Sequence, residues 1–287
     1  MSGIHLDKNM RRRLVLRLIL SILVIGVLVA RAIRGDFYTV FLCAMTLAMF
    51  EIPAFVNRKL NIKLPGTLEI IILLFIFCAE ILGEIGSFYT YIPWWDTMLH
   101  TVNGFLMAAI GFALIDILNN SPRFHISLSP FFVAFVAFCS SMTVGVLWEF
   151  FEVAMDILTG TDMQKDFIIH SISSVALNPE GVNDPVVIKG ITQTVITYVK
   201  DGETLQQVIP GGYLDVGILD TMKDLLVNCI GALVYSVVGY FYLVGKNKGV
   251  FARKFIPIMK TPEEIKNDAE KAEQLKKAIK DRKGKGE

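Results

Sequence analysis

The chain has 287 residues, of which 53% are hydrophobic and only 19% are charged, and its formal net charge is +1. A soluble globular domain carries more charge and fewer long apolar runs, so this composition argues against that class. The balanced charge gives no general argument for nucleic acid as a partner. The four cysteines lie far apart within apolar runs, which favours small buried hydrophobic side chains over a metal or disulfide pattern.

Long apolar runs dominate the first 158 residues. The first run, from Leu14 to Ala30, follows a basic start but is too long for a signal peptide, and no small-residue cleavage site precedes Arg31. A helix needs about 20 apolar residues to cross a bilayer, and a spanning segment must be helical to satisfy its backbone. We therefore predict an all-α, six-helix transmembrane bundle, with spans at 14–33, 36–56, 66–86, 94–117, 129–158 and 216–244.

The distribution of basic residues predicts the orientation of these spans. Lys and Arg concentrate in the N-terminal segment 1–13, in the short loop at 58–63, at Arg123 and in the tail 245–287. Cytoplasmic loops are enriched in these residues, so both termini are expected in the cytoplasm. Arg31 and Arg34, on the opposite side, are a minor exception.

Two polar segments lie outside the predicted spans. The segment 159–215 should be extracytoplasmic and should contain a β-hairpin, because the β-rich runs 192–199 and 204–209 flank Asp201-Gly202, a type I′ turn signal. In the tail, Thr261 is followed by Pro262 and by Glu264, the pattern of a capping box. We expect a charged cytoplasmic helix from there to about residue 280.

Four of the predicted spans carry polar side chains at a spacing of three or four residues, which places each set on one helical face. With the predicted orientation, all four stripes come to one depth, toward the outer surface. Ionisable groups at such depths are costly and often functional. The stripes are Glu80 and Glu84; Asp96, His100 and Asn103; Glu149, Glu152 and Asp156; and Asp220, Asp224 and Asn228.

The stripes together hold eight carboxylates and one histidine, which cannot all be ionised in a low-dielectric environment without a counter-charge. We expect no lysine or arginine at the same depth within these four spans. A divalent metal, Mg, Mn, Zn or Fe, is then the compact solution for oxygen and imidazole donors. The predicted ligands are Asp96, His100, Glu149, Glu152, Asp220 and Asp224, and the predicted supporting residues are Glu80, Glu84, Asn103, Asp156 and Asn228.

Simpler roles stay open for several of these residues. Glu80, Glu84 and Asp156 fit interfacial acids that face lipid headgroups. Asp215 and Asp220 fit caps at the start of the last predicted helix, where a carboxylate meets the positive end of the helix dipole.

Four short motifs follow one another in a fixed order along the chain. They are Asp96-x-x-x-His100, Trp148-Glu149-x-x-Glu152, Gly160-Thr161-Asp162-Met163-Gln164 and Asp220-Thr221-Met222-x-Asp224. In this order they resemble the bacterial YjdF-like family of inner-membrane proteins. That resemblance implies a multi-pass fold in a bacterial cytoplasmic membrane and marks candidate residues, but it implies no reaction. The chain departs from the family pattern where the predicted hairpin is inserted. The Asp-x-x-x-His opening is also, more distantly, similar to VanZ-like membrane proteins.

Three functional hypotheses follow. The first is a metal-dependent hydrolase acting on a lipid or lipid-linked substrate in the membrane, with Glu149 or Glu152 as general base and His100 as acid or ligand. The second is a cation- or proton-coupled transporter, which would require polar residues that continue to the inner side. The third is a non-catalytic membrane scaffold. P-loop, Rossmann and nucleophile-elbow motifs are absent from the sequence.

Overall fold

A computed structural model describes residues 8–59, 61–119, 127–245 and 252–270. Within these ranges the chain is mostly helical, and five helices are long and apolar enough to cross a membrane. They correspond to the first, second, fourth, fifth and sixth predicted spans. The five helices are Met10–Ile33, Phe37–Lys59, Trp95–Asp116, Pro130–Thr159 and Ile218–Val244. The second of them consists of two shorter helices separated by a turn at Phe50 and Glu51.

Short strands and turns connect the helices. The helices are α1 (Lys8–Ile33), α2 (Phe37–Met49), α3 (Ile52–Lys59), α4 (Gly66–Ile76), α5 (Phe88–Tyr91), α6 (Trp95–Asn119), α7 (Pro130–Thr159) and α8 (Ile218–Val244). The strands are β1 (Ile62–Lys63), β2 (Ile168–Ile169), β3 (Ser171–Ser174), β4 (Val186–Lys189), β5 (Gln193–Lys200), β6 (Glu203–Pro210), β7 (Tyr213–Leu214) and β8 (Ile258–Met259).

The third predicted span differs from the other five. Its first half is α4, but from Phe77 to Ile85 the backbone continues as a π-helix. The wider winding of a π-helix is rare and is not encoded by hydropathy, so the sequence pattern did not reveal it. Five long apolar helices are therefore established, and a sixth crossing by this mixed segment stays a prediction.

The described chain divides into two compact units. One unit comprises the residues up to Met142 together with those from Asn228 onward, and the other comprises Thr143–Val227. In the first unit, one core cluster brings α6 together with the second half of α8, through buried Phe112 and Tyr235. A second cluster joins α1 to α2 and α4 and includes Val24 and Leu73.

Glycines permit close contact between α6 and the second half of α8. A Cβ atom at Gly104 would collide with the backbone of Asn228, and one at Gly231 would collide with the carbonyl oxygen of Thr101. Small residues allow helix backbones to approach closely in membrane bundles, where burial in lipid gives no driving force of its own. These two glycines thus set how near the polar stripe of α6 lies to this part of α8.

Within the first unit, the segment that follows α8 returns to β1 and the end of α3. Strand β8 pairs antiparallel with β1, and the ammonium of Lys260 donates to the carbonyl oxygen of Asn57 at 2.6 Å. Thr261 and Glu264 form the predicted capping box, with reciprocal hydrogen bonds of 3.0 and 3.2 Å, and helix follows over 262–270. The predicted continuation toward residue 280 lies outside the described residues.

In the second unit, the predicted hairpin is confirmed. Strands β5 and β6 pair antiparallel from Gln193↔Pro210 to Lys200↔Glu203. At the turn, Asp201 and Gly202 have φ angles of 53° and 84°, as a type I′ turn requires. Two further antiparallel pairs, β2–β7 and β3–β4, were not predicted. The strands β2 and β7 are two residues each and distant in sequence, and the four-residue strands β3 and β4 are too short to give a clear pattern.

A candidate metal centre

The polar stripe of α6 begins in its first turn. Asp96 Oδ1 lies 3.4 Å from His100 Nε2, and the His100 side chain is buried, with 8% of the residue exposed. The preceding Trp95 donates its indole N–H to the carbonyl oxygen of Cys78 at 3.3 Å and fixes the start of the helix. The carboxylate and the imidazole therefore lie on one helical face, with His100 buried and Asp96 partly buried, as the sequence spacing predicted.

The predicted supporting residues Asn103 and Asn228 bind each other. The Asn103 amide donates to Asn228 Oδ1 at 3.3 Å, and the Asn228 amide lies 3.5 Å from the carbonyl oxygen of Ser141. The hydroxyl of Ser141 in turn donates to the carbonyl oxygen of Gly104 at 2.8 Å. These buried polar groups are used to join helices, and they lie next to the stripe that contains His100.

The polar stripe of α8 lies beside a lysine, Lys223, that the predicted charge balance omitted. Lys223 Nζ lies 2.5 Å from Asp220 Oδ1 and 3.6 Å from Asp224 Oδ1. The expectation that no lysine or arginine accompanies the acids is therefore wrong. Lys223 is next to Asp224 in the sequence and could have been recognised there. It supplies one positive charge, which lowers the number of carboxylates that require another counter-ion.

One group of side chains has the arrangement of a metal site. A carboxylate oxygen from Asp96, a ring nitrogen from His100 and a carboxylate oxygen from Asp224 all lie within 4.8 Å of one another. Asp224 is 1% exposed. Two carboxylates and an imidazole are common donors for Zn²⁺, Mn²⁺ and Fe²⁺, so the residues fit a divalent ion.

Asp220 was predicted as a ligand but lies outside this group of three. Its Oδ2 accepts a hydrogen bond from the backbone N–H of Lys165 at 2.9 Å, while its Oδ1 contacts Lys223. Both oxygens thus have protein partners. In this position Asp220 attaches the segment after α7 to the start of α8.

Asp156 also organises the segment after α7. Its carboxylate accepts hydrogen bonds from the hydroxyl of Thr161 and from the backbone N–H groups of Met163 and Gln164, at 2.9, 2.7 and 2.9 Å. The Gly160–Gln164 motif is therefore a loop folded around one carboxylate. Asp156 was predicted as a supporting residue, and here it supports the loop.

Asp215 precedes α8 and serves as the cap that was considered for it. Burial acts to raise the pKa of its carboxyl, but backbone hydrogen bonds from Phe167, Leu219 and Gly217 outweigh burial and hold the pKa below its usual value. Because this pKa is lower in the folded protein than in the unfolded chain, the carboxylate stabilises the fold at pH values above its unfolded-state pKa. The stabilisation is lost as the pH falls through the folded-state pKa.

The predicted catalytic residues of α7 are both buried. Glu149 is 3% exposed and Glu152 is 7% exposed. The indole N–H of Trp148 donates to Glu152 Oε1 at 2.8 Å, so this tryptophan orients a carboxylate. From the sequence, Trp148 was only a member of the Trp148-Glu149-x-x-Glu152 motif.

The π-helix places its two acids in different surroundings. Glu84 is exposed and accepts a hydrogen bond from the hydroxyl of Tyr38 at 3.3 Å, whereas Glu80 is partly buried. Neither belongs to the group of three donors. Their predicted supporting role at a metal centre thus gains no support from the described contacts.

The described chain combines five long apolar helices with short strand pairs and with a group of two carboxylates and one imidazole. These features define a multi-pass helical membrane protein with a candidate metal site. Over residues 15–245 the chain matches the family described as "Predicted membrane protein (DUF2238)" and belongs to it. This is the family to which the YjdF-like resemblance pointed, while the VanZ-like resemblance finds no support. No curated protein and no solved structure matches the chain.

Proposed function

We propose that this membrane protein binds a divalent metal ion through Asp96, His100 and Asp224 and hydrolyses a lipid or lipid-linked substrate. The observation that supports the proposal is the approach of three metal-type donor atoms, all within 4.8 Å of one another. Burial of His100 and Asp224 adds to it, because a buried carboxylate needs positive charge nearby, and a divalent ion would add to the single charge that Lys223 supplies.

A divalent ion would supply Lewis acidity and would activate water for attack at neutral pH. The protein's own part is to hold the ion and to move protons. We assign His100 to the metal, since its ring nitrogen belongs to the donor group. Glu149 and Glu152 are the proposed general bases, and Trp148 would keep Glu152 in one orientation.

A transport pathway is less well supported than hydrolysis. It would need polar side chains available along the helices beyond His100. Three of the buried or partly buried polar side chains described in the first unit, Asn103, Asn228 and Ser141, are hydrogen-bonded within the helix packing, which leaves the hydroxyl of Ser236 among those not so engaged. Side chains committed to holding helices together are poorly suited to passing an ion.

Metal content is the direct test of the proposed site. We expect purified wild-type protein to contain one equivalent of a divalent metal by inductively coupled plasma mass spectrometry. Removal with a chelator should abolish hydrolysis, and re-addition should restore it. A folded wild-type protein that takes up no divalent metal would disprove the metal-dependent mechanism.

Glu149→Gln separates an enzyme from a scaffold. The amide keeps the shape of the side chain but cannot accept a proton, so turnover should fall by about 10²–10⁴-fold. The melting temperature and metal content should stay close to those of wild type. Hydrolysis can be followed as phosphate and fatty-acid release from a panel of phospholipids and polyprenyl diphosphates. Unchanged turnover with a large loss of thermal stability would instead identify a structural carboxylate.

Lys223→Met tests which cation balances Asp224. Removing a positive charge 3.6 Å from Asp224 Oδ1 should tighten metal binding, by about tenfold for one close charge pair that is partly screened. Titration of the chelator-treated protein with Zn²⁺ or Mn²⁺ measures this change, and Lys189→Met, an exposed lysine on β4, serves as control. If Lys223→Met binds metal more weakly than wild type, lysine and metal do not compete for Asp224.

A further inference from the structure

A cavity of about 860 Å³ lies in the first unit. The residues found to line it are not those of the four acidic stripes. Among the described residues, five basic side chains line it, and no aspartate or glutamate does. The lining therefore favours a negatively charged occupant. The basic residues are Arg12, Arg13, Lys63, Arg253 and Lys254.

The cavity is formed where three chain segments meet. Arg12 and Arg13 come from the start of α1, Gly66 and Thr67 begin α4, and Arg253 lies in the segment that returns after α8. Pro65, at the N-cap of α4, provides no side-chain cap. The first backbone N–H groups and the positive end of this helix dipole therefore add to the field of the basic side chains.

Close packing keeps the guanidinium of Arg13 at the start of α4. A Cβ atom at Gly66 would lie 3.3 Å from Arg13 Cδ, so the glycine leaves space for this side chain. Arg13 also forms an ion pair with Glu69 in the first turn of α4. Lys63 is paired with Glu264 at 2.6 Å. Arg13 and Lys63 thus have carboxylate partners that are not among the described lining residues.

Apolar side chains complete the lining. Leu64, Ile70 and Ile256 join the basic residues, and Ile256 is only 1% exposed. The ring of Tyr242, near the end of α8, is also part of the wall. A site lined by both basic and aliphatic side chains fits an anion that carries an apolar portion better than it fits a simple inorganic ion. Its volume is that of a typical small-molecule site.

We propose that this cavity binds a phosphate group carried by an anionic ligand. Arginine matches phosphate geometry through paired N–H donors, and several basic groups with a helix N-terminus form a familiar phosphate environment. The same chemistry is offered by the headgroup of an anionic lipid and by soluble phosphate. The apolar part of the lining favours the lipid, as does the location of these residues at helix ends assigned to the cytoplasmic side.

Binding to purified full-length protein in a neutral detergent tests the proposal. The probes are dihexanoyl phosphatidic acid, dihexanoyl phosphatidylcholine and inorganic phosphate, measured by isothermal titration calorimetry. Phosphatidic acid should bind, and Arg12→Gln/Lys254→Gln should weaken it at least tenfold. This double variant leaves the ion-paired Arg13 and Lys63 in place and removes two exposed side chains, so the fold should be kept. Lys189→Gln/Lys200→Gln removes the same charge from exposed strand positions and should bind like wild type.

The two sources of phosphate give different results. A lipid site binds phosphatidic acid and is not competed by millimolar inorganic phosphate, whereas a soluble-phosphate site binds inorganic phosphate with comparable affinity. The proposal is overturned if neither anion binds, if phosphatidylcholine binds as tightly as phosphatidic acid, or if the two double variants lose equal affinity. Metal content does not enter these readouts, so they are independent of the acidic site.

Discussion

Asp224→Asn is expected to reduce the bound divalent metal from stoichiometric to background levels. Asparagine has nearly the shape of aspartate but lacks its charge, and a neutral amide is a weak metal ligand. Altering residues that merely support metal ligands costs 10–100-fold in affinity, so loss of one of three donors should cost more. The measurement is metal content per chain after dialysis against a defined Zn²⁺ or Mn²⁺ buffer.

Glu84→Gln is the matched control for this change. It also converts a helical carboxylate to an amide, but Glu84 is exposed and lies outside the donor group. Metal content should be unchanged. If Asp224→Asn keeps its metal while its melting temperature falls, then Asp224 serves as the partner of Lys223 and is not a ligand.

The second large effect is expected for Gly231→Ala. The added methyl group would meet the backbone of Thr101 on one side and the backbone nitrogen of Phe105, at 3.0 Å, on the other. Neither neighbour is a flexible side chain, so α6 and α8 must move apart. Overpacking costs typically ~1–3 kcal/mol, and the cost here should lie at or above the upper end. A large drop in melting temperature in detergent should follow.

Gly26→Ala provides the comparison for that prediction. Gly26 lies within α1, and a Cβ atom there would have nothing within 4 Å. Glycine inside a helix is destabilising by about 0.5–1 kcal/mol relative to alanine, so this variant should be as stable as wild type or slightly more so. If the two glycine variants have the same melting temperature, then α6 and the second half of α8 are not in the close contact described above.

Features encoded by nearby residues could be read from the sequence. Long apolar runs predicted five helices that the structure contains, and the type I′ turn at Asp201-Gly202 predicted the β5–β6 hairpin. The capping box at Thr261 and Glu264 was likewise correct. In each case the determining interactions lie within a few residues, so the local pattern is sufficient.

Features that depend on distant contacts could not be read in this way. The β1–β8 pair joins residues almost two hundred positions apart, and nothing in either two-residue strand specifies its partner. The π-helix after α4 has the same apolar composition as an α-helix. The anchoring of Lys165 by Asp220 depends on where the loop after α7 returns, so spacing alone suggested a ligand.

The candidate metal centre was predicted in part. Helical spacing correctly put Asp96 and His100 on one face, and Asp224 joins them in the group of three. The prediction of six metal ligands did not take Lys223 into account, although this lysine lies between Asp220 and Asp224 in the sequence. Charge arguments in apolar helices therefore depend on including every cation of the same turn.

The return of the chain after α8 bears on where a minimal folding fragment can be cut. The family match ends at residue 245, yet Ile256 is part of the hydrophobic core and Lys260 is bonded to the backbone of Asn57. A truncation at residue 245 would uncover the edge of β1 and leave a hole where Ile256 packs. Expression boundaries drawn from the family match alone would therefore remove a structural part of the protein.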